Sequence, residues 1–118
     1  GNLFITLFFE IDKNKSLSKI TIYNLKTIKN ALQKFTKRKL NIRSPNDILI
    51  GKKKICGILQ ETIFINNTKF LIVGIGINVI KNPNINNYPT SCLNNYSPNK
   101  IHKNKVSMYI KRAYEKKL

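Results

Sequence analysis

Apolar and polar positions change their period several times along the chain, and each change predicts an element of secondary structure. Leu3 to Glu10 is rich in β-branched and aromatic residues, which is typical of a strand. From about Ile20 to Leu40 the apolar residues recur at helical spacing, which predicts an amphipathic helix with a solvated lysine face. Asn41 to Arg43 indicates a short strand that stops at Ser44-Pro45, because proline lacks a backbone donor and restrains its predecessor.

Three more strands joined by tight turns are predicted in the middle of the chain. Asp47 to Ile50 and Lys53 to Phe64 flank a hairpin turn at Gly51-Lys52. A second turn at Asn66-Asn67 leads into an apolar strand from Lys69 to Ile80. Consecutive strands joined in this way favour an α+β fold, with a mainly antiparallel sheet and packed helices.

The last third of the chain predicts a loop and a helix. Asn82 to Asn99 is rich in Asn and Pro and indicates a long connection. His102 to Leu118 predicts a terminal helix, with one apolar face formed by Val106, Tyr109, Ile110 and Ala113. At 118 residues we expect one domain. No apolar run approaches the roughly 20 residues of a membrane span. Residues 1–5 lack the charged n-region of a signal peptide, so we expect a cytoplasmic protein.

The formal charge of +17 has two interpretations. A strongly basic surface attracts polyanions, so a basic nucleic-acid-binding module is one alternative. The chain, however, has 19 Lys against 3 Arg, together with 17 Asn and 19 Ile. A/T-rich codons favour Lys, Asn and Ile, so mutational bias alone produces such a charge. The lysines are scattered rather than clustered, which weakens the nucleic-acid alternative.

The cysteines do not indicate a metal site. Cys56 and Cys92 are far apart in sequence and form no CxxC pair. With the single His102 they do not make a plausible zinc-ligand set. We expect two reduced, partly buried thiols.

The first candidate for chemistry is the pair Asn46-Asp47. Asp47 is one of five carboxylates and precedes an apolar run, where a charge is costly unless it is hydrogen-bonded, paired or metal-bound. Its oxygens, with those of Asn46, suit Mg²⁺ or a ribose hydroxyl. The alternative is a turn closed by an Asx side-chain bond.

The second candidate is Lys54. Strict alternation along the strand places Lys54, Cys56 and Ile58 on one face, and Ile55, Gly57 and Leu59 on the other. A lysine near a strand glycine can direct its ammonium group at an anion, while the glycine allows close approach. The alternative is a surface lysine, as we expect for Lys52 and Lys53 at the turn.

The third candidate is the stretch "VGIGINV", Val73 to Val79. Gly74 and Gly76 do not form a dinucleotide fingerprint, because the third glycine and the following helix are missing. Glycines inside an apolar strand cost stability unless something approaches the backbone closely. Asn78 then lines the same place, the alternative being a bulged core strand with a satisfied Asn. Together the three stretches predict one concave site on the sheet for a polar ligand.

These stretches resemble a known family. "RSPNDILIGKKKICGIL", then "VGIGINV" and "PTSCL", resemble the second half of the catalytic domain of biotin–protein ligases. That family shows K-W-P-N-D-[IL], K-[IL]-x-G-[IL]-L, G-x-G-x-N-V and A-T-S-L in this order, and "GNLFITLFF" resembles the strand after its ligand loop. The resemblance covers residues 1 to about 93. Lipoate and octanoate transferases share the fold, but "GIL" followed by "GIGINV" favours biotin.

The resemblance implies a role for each motif residue. Lys54 would reach the biotin carboxylate and the α-phosphate as the catalytic residue. Asn46 and Asp47 would face the nucleotide and its Mg²⁺, and Arg43 would bind the substrate or nucleotide beside them. The pocket shared by biotin and adenylate would be lined by Gly57, Gly74, Gly76 and Asn78. Thr90-Ser91 would begin a segment that covers or supports the site.

The reaction implied by the resemblance has two steps. Biotin and ATP, with Mg²⁺, give biotinyl-AMP and pyrophosphate. A lysine of a biotin carboxyl carrier domain then attacks the mixed anhydride. No prosthetic group, membrane or DNA partner is expected.

Two motif positions depart from the family, and some of its parts lie outside the resemblance. Arg43 replaces a lysine, which keeps the charge but alters the geometry, and Ser44 replaces a tryptophan. The family's Gly/Arg-rich ligand loop, its C-terminal β domain and any N-terminal DNA-binding domain have no counterpart here. We therefore expect residues 1–118 to be part of a catalytic domain that does not make biotinyl-AMP efficiently alone.

Overall fold

The strands and helices of the computed structural model follow the predicted order along the chain. The structure describes residues 2–43, 45–81, 83 and 89–115. The strands are β1 (Leu3–Glu10), β2 (Leu40–Arg43), β3 (Asp47–Ile50), β4 (Lys53–Ile65) and β5 (Thr68–Ile77). The helices are α1 (Leu17–Gln33) and α2 (Lys103–Glu115), with a short 3₁₀ turn at Leu93–Tyr96.

The five strands form one antiparallel sheet in the order β1-β5-β4-β3-β2. Both predicted hairpin turns are confirmed. Gly51 has φ +58°, and Asn66 and Asn67 have φ 50° and 69°. Positive φ at a two-residue hairpin turn matches the twist of the strands, and Gly and Asn tolerate it best. The chain therefore folds β3, β4 and β5 locally, whereas the pairing of β1 with β5 is long-range.

The sheet has one covered face and one open face. Along β1, every second side chain packs towards the core, namely Leu3, Ile5, Leu7 and Phe9. The side chains between them point the other way, and Phe4 and Phe8 are exposed. This alternation is the period-2 pattern of a half-buried strand. Leu59 and Ile65 of β4 lie on the same side and are exposed as well, so the sheet leaves an apolar face open to solvent.

Both helices pack on the covered face. Their buried apolar residues join the core under the sheet, namely Ile20, Leu25, Ile28, Ala31 and Leu32 of α1 and Val106, Ile110 and Tyr114 of α2. The Phe35 and Tyr109 rings also meet, with centroids 4.7 Å apart.

A buried polar relay joins the two helices to the sheet. The Tyr114 hydroxyl donates to Asn24 Oδ1 at 2.9 Å, and Asn24 Nδ2 donates to Gln60 Oε1 at 2.8 Å. Burial raises the pKa of Tyr114, so the hydroxyl stays protonated as a donor. Since a buried polar group is costly when unpaired, this relay fixes how α1 and α2 sit on β4.

The first helix is shorter than its apolar period predicts, and its predicted end at Leu40 is wrong. The helix stops at Gln33, whose side chain folds over the chain that leaves it. Gln33 Nε2 donates to the carbonyl oxygens of Thr36 and Arg38 at 3.1 and 2.8 Å, and Gln33 Oε1 accepts from the backbone of Leu40 at 3.0 Å. These bonds satisfy backbone groups that a longer helix would have paired internally.

The other predicted boundaries hold with smaller corrections. The last strand ends at Ile77 rather than Ile80, and α2 spans Lys103–Glu115, residues 116–118 lying outside the described part of the chain. The predicted loop over residues 82–99 contains the short 3₁₀ turn in its described portion, and residues 82 and 84–88 lie outside it. Neither of the described helices is long and apolar enough to cross a membrane.

Candidate functional site

Lys54 lies on the open face of the sheet, but not with the neighbours that strict alternation predicts. Leu49 pairs with Lys54, whereas Ile48 pairs with Cys56, so Ile55 is an extra residue in β4. Such a bulge shifts the phase of the strand. Ile55 and Cys56 are both buried, and Lys54 shares the open face with Gly57 and Leu59. The predicted grouping of Lys54 with Cys56 and Ile58 is therefore wrong.

Asp47 is the centre of an ion-pair cluster at this edge of the open face. Its Oδ2 lies 2.7 Å from a terminal nitrogen of Arg43 and 3.2 Å from Arg43 Nε. Its Oδ1 lies 3.0 Å from Lys54 Nζ. The Asp47 side chain is 15% exposed and that of Lys54 31%. A half-buried carboxylate held between two cations fixes the ammonium group in one position.

Two glycines lie side by side beneath this ammonium group. Gly57 of β4 pairs with Gly76 of β5, so neither strand carries a side chain at that point. A Cβ added at Gly57 would stand 3.0 Å from both Cε and Nζ of Lys54. The glycine thus provides the space in which the lysine lies. Gly74, one pair further along β5, faces Leu59 and has more room, since a Cβ there would meet only the Leu59 carbonyl oxygen at 3.8 Å.

The glycine pair separates two adjoining hollows on the open face, of about 530 and 500 Å³. Both are lined by Phe4, Lys54, Gly57 and Gly76. The first continues over Asn78 and Thr90, and the second over Asn46, Asp47 and Gly74. The structure therefore brings together on one surface the residues that three separate sequence stretches singled out. Arg43 stands behind Asp47 and lines neither hollow.

The two predicted asparagines have mainly structural contacts. The Asn46 carbonyl oxygen accepts a hydrogen bond from the backbone of Ile58 at 2.8 Å, and Asn46 itself is exposed. Asn78 Nδ2 donates to the Ser91 carbonyl oxygen at 3.1 Å, and its backbone nitrogen donates to Ile55 at 2.8 Å. Asn78 thus lines the first hollow while its amide group holds the neighbouring segment.

That segment, residues 89–91, runs beside Lys54. The Lys54 nitrogen donates to the Pro89 carbonyl oxygen, and the Ser91 nitrogen donates to the Lys54 carbonyl oxygen, both at 2.9 Å. Thr90 and Lys54 form a parallel bridge. Lys54 is therefore held on one side by β3 and on the other by residues 89–91, which agrees with the supporting role expected for Thr90-Ser91. Ser44 lies outside the described residues.

Three residues that line the site were missed at the sequence level. Phe4 is 83% exposed and its ring lies against Gly76, where an added Cβ would meet it at 3.4 Å. Asn2 Oδ1 accepts from the backbone nitrogens of Val79, Ile80 and Lys81 at 3.0 to 3.4 Å. The resulting turn places Lys81 in the lining of the first hollow. Phe4 could have been found from the sequence, because it is an outward-facing aromatic residue in a predicted strand. The contact of Asn2 with Val79 could not, because the two residues are far apart in the sequence.

The geometry does not favour Asp47 as a direct ligand of Mg²⁺. Both of its oxygens already face cations at 2.7 and 3.0 Å. Among the described residues, no group of three or more His, Cys, Asp or Glu side chains comes together that could hold a metal ion. Because both carboxylate oxygens are engaged by cations, Asp47 fits better as the residue that positions Lys54.

Cys56 lies next to this cluster but cannot act as its nucleophile. The side chain is buried, and burial raises the pKa of the thiol from 9.0 to about 12, against a smaller lowering effect of Lys54. Only a thiolate is an effective nucleophile. The Cys56 thiol therefore serves as a packed core side chain. The charged groups of the open face can act on a ligand electrostatically.

Electrostatically, the hollows suit an anion. Asp47 is the only carboxylate among the described residues that line them, and two cations already face it. Lys81 adds a further positive charge at the rim of the first hollow. Over a glycine floor a ligand can lie against the backbone, and its negative groups then reach Lys54.

The same fold occurs in solved structures of ligases. The biotin protein ligase of Aquifex aeolicus in complex with biotin and ATP matches with a TM-score of 0.78 and 24% identity, covering 98% of this chain and 49% of that one. The Leishmania major biotin protein ligase in complex with biotinyl-5-AMP gives 0.74 and 18%, covering 96% and 53%. LipL1 of P. falciparum in complex with lipoate gives 0.72 and 18%, covering 98% and 32%. The chain spans about half the length of these biotin ligases.

A sequence search of curated proteins gives no match. The family model of biotin/lipoate A/B protein ligases matches residues 1–78. That stretch contains β1 to β5 and with them Lys54, Asp47 and all three glycines of the open face. The antiparallel sheet with its two helices is the catalytic fold of this group. The chain belongs to the biotin/lipoate A/B protein ligase family.

Proposed function

We propose that residues 1–118 form part of the catalytic domain of a biotin–protein ligase that activates biotin with ATP in the cytoplasm. The observation that supports this most is the position of Lys54. Its ammonium group lies 3.0 Å from Asp47, above a glycine pair, where two hollows meet. A cation at such a junction can contact two anionic groups that enter from the two sides. Biotin carboxylate and the α-phosphate of ATP are such a pair.

In the first step, a biotin carboxylate oxygen attacks the α-phosphorus of ATP. The new P–O bond forms as the bond to the β-phosphate breaks, and pyrophosphate leaves with the electron pair. Two anions must approach each other, and negative charge builds up at phosphorus. Lys54 offsets both effects, and its fixed position means that little reorganisation is needed. The glycine floor allows the adenylate to lie close to the strands.

In the second step, the amine of a carrier lysine attacks the carbonyl carbon of the mixed anhydride. A C–N bond forms, the C–O bond to AMP breaks, and the amine loses one proton. Lys54 stabilises the phosphate of the leaving AMP by the same contact. A biotin carboxyl carrier domain is the partner we propose. The scheme needs no enzyme-bound intermediate, which suits a site whose neighbouring thiol, Cys56, is buried and protonated.

Two sequence motifs, and not the fold, support biotin over lipoate as the substrate. Biotin ligases and lipoate-bound LipL1 match the chain with similar TM-scores. The stretches "GIL" and "GIGINV" support biotin as the substrate. A lipoate or octanoate transferase is the second candidate, supported by the P. falciparum match. Thermal unfolding separates the two, because a ligand that binds only the folded chain raises its melting temperature.

The test compares two lysine variants of the 118-residue chain. We expect biotinyl-5′-AMP to raise the melting temperature, lipoate to raise it less, and Lys54→Ala to weaken adenylate binding at least tenfold. Lys103→Ala is the matched control, since Lys103 is an exposed lysine at the start of α2 and lines neither hollow. Equal loss in both variants would refute the proposed role of Lys54.

A basic nucleic-acid-binding module makes different predictions. Its affinity for nucleic acid would fall steeply with added salt and would not depend on Lys54.

A second measurement addresses the catalytic step itself. The expectation that the 118 residues alone do not make biotinyl-AMP efficiently is tested with labelled biotin, ATP and MgCl₂. Accumulation of labelled biotinyl-AMP would contradict it.

A further inference from the structure

A third hollow, of about 700 Å³, lies on the helical side of the molecule. Its walls are the loop after α1 and the segment that leads into α2, and it shares no lining residue with the two hollows of the open face. Five of its lining residues are cations, namely Lys34, Lys37, Arg38, Lys100 and Lys105. No carboxylate is among the described residues that line it. The proposed ligase reaction makes no use of this hollow.

The loop that carries three of these cations is firmly hydrogen-bonded. The Gln33 side chain binds three backbone groups of the loop at 2.8 to 3.1 Å. The Thr36 hydroxyl donates to the Tyr96 carbonyl oxygen across the hollow at 3.0 Å and accepts from the Arg38 nitrogen at 3.1 Å. Thr36 is buried although it lies in a charged loop. These hydrogen bonds therefore keep the positively charged side chains of the loop close together, whereas in a flexible loop they would move apart.

Aromatic rings hold three of the cationic side chains. The Arg38 guanidinium lies 5.1 Å from the centre of the Tyr96 ring. The ammonium groups of Lys34 and Lys105 lie 5.8 and 6.0 Å from the centre of the same ring, that of Tyr109. Such contacts orient a cation without neutralising it. This contact does not use the N–H donors of Arg38, which can bind an anion in two-point fashion.

Codon bias accounts for the number of lysines but not for this arrangement. Arginine is scarce in the chain, with 3 residues against 19 lysines. One arginine pairs with Asp47 at the candidate ligase site, and another, Arg38, lies over the Tyr96 ring in this hollow. Lysines from the loop after α1, the 96–101 segment and α2 converge around it. Mutual repulsion opposes such convergence, so an anion that binds between them would relieve it.

We propose that this hollow binds a polyphosphate group, that is, a chain of two or more linked phosphates, either inorganic or carried by a nucleotide. Several cations around one concavity suit a compact ligand with several negative charges. A guanidinium positioned over a ring can still offer paired donors to phosphate oxygens. The volume is that of a small-molecule site. An extended polyanion or an acidic peptide would instead follow a flat or elongated basic surface.

The test measures binding of sodium tripolyphosphate and of ATP to the 118-residue chain by isothermal titration calorimetry at two salt concentrations. Arg38→Gln combined with Lys105→Gln removes two charges from the hollow. Lys13→Gln combined with Lys15→Gln removes two charges from an exposed turn that lines none of these hollows. We expect the first pair to weaken tripolyphosphate binding at least tenfold and the second less than twofold. Lys54→Ala should change it less than twofold.

Each other outcome overturns the proposal. Equal weakening by both double variants would mean that net charge alone attracts the anion. Weakening only by Lys54→Ala would place the anion at the open face. Tighter binding of a polyglutamate peptide or an oligonucleotide than of tripolyphosphate, lost in Arg38→Gln/Lys105→Gln, would identify a macromolecular surface instead. Parallel titrations with ATP distinguish a nucleotide-borne phosphate chain from an inorganic one. None of these results depends on whether the open face activates biotin.

Discussion

Gly57→Ala is the substitution that most directly tests how the lysine is positioned. The new Cβ would stand 3.0 Å from both Cε and Nζ of Lys54, whereas ordinary contacts begin at 3.4 Å. The end of the lysine side chain must therefore move by a few tenths of an ångström or more. Its present contact with Asp47 is 3.0 Å long, so a movement of this size changes the geometry of the ion pair.

The fold itself should tolerate the change. The atoms that must yield are the end of a flexible side chain, so the strand need not move. Replacing glycine by alanine in a strand stabilises by roughly 0.5–1 kcal/mol through the backbone. A weakened contact between Asp47 and the partly exposed Lys54 costs at most about 1 kcal/mol. These effects oppose each other, so we expect the free energy of unfolding to stay within about 1 kcal/mol of the parent chain.

Ligand binding should respond far more strongly. A displaced ammonium group loses a charge-assisted hydrogen bond to the adenylate, worth about 1.5–3 kcal/mol, which is roughly ten- to a hundredfold in affinity. Calorimetric titration with biotinyl-5′-AMP measures this, and urea unfolding measures stability. Gly74→Ala is the matched variant, since its Cβ meets only a carbonyl oxygen at 3.8 Å and should cost less binding.

A double-mutant cycle decides whether the effect passes through the lysine. If Gly57→Ala acts by displacing Lys54, it should cost nothing further in a Lys54→Ala background. A full additional loss of affinity in that background would refute the reasoning, because the methyl group would then obstruct the ligand itself. A large loss of folding stability would refute it too.

Three further predictions concern the surroundings of the site. Asp47→Asn should lower the free energy of unfolding by roughly 1–2 kcal/mol, because two cations lose their partner, and a change too small to resolve in urea unfolding would contradict this. Tyr114→Phe should cost about 1–3 kcal/mol by leaving Asn24 Oδ1 unpaired, while Tyr109→Phe, which keeps its ring contacts, should cost less in the same assay. Burial raises the Cys56 pKa from 9.0 to about 12, so the folded chain holds this proton more tightly. Stability should then fall from pH 9 upwards, by at most about 1.4 kcal/mol per pH unit from this group, and less steeply in Cys56→Ala; an unchanged slope in that variant would exclude the thiol as a cause.

Local patterns in the sequence predicted local structure well. The hairpins at Gly51 and at Asn66-Asn67 follow from residues that tolerate positive φ, and the structure confirms both. The predicted end of α1 at Leu40 was wrong. Phe35 continues the apolar period, but the hydrogen bonds of the Gln33 side chain end the helix at Gln33. Only long-range contacts reveal the rest. The partner of β1 and the turn held by Asn2 depend on residues at least 60 positions apart, which no local pattern encodes.

The extra residue at Ile55 explains why Lys54 and Gly57 lie on the same face although they are three positions apart. In a regular strand, residues three positions apart point to opposite sides, so an odd interval would separate a lysine from the glycine that makes room for it. One inserted residue changes that parity and returns both to the same side. A lysine placed an odd number of residues before its glycine is thus itself a marker of the inserted residue. Removing Ile55 would leave an even interval in a regular strand, so the ammonium group should stay on the same side as Gly57, and the change should cost stability through the lost buried side chain.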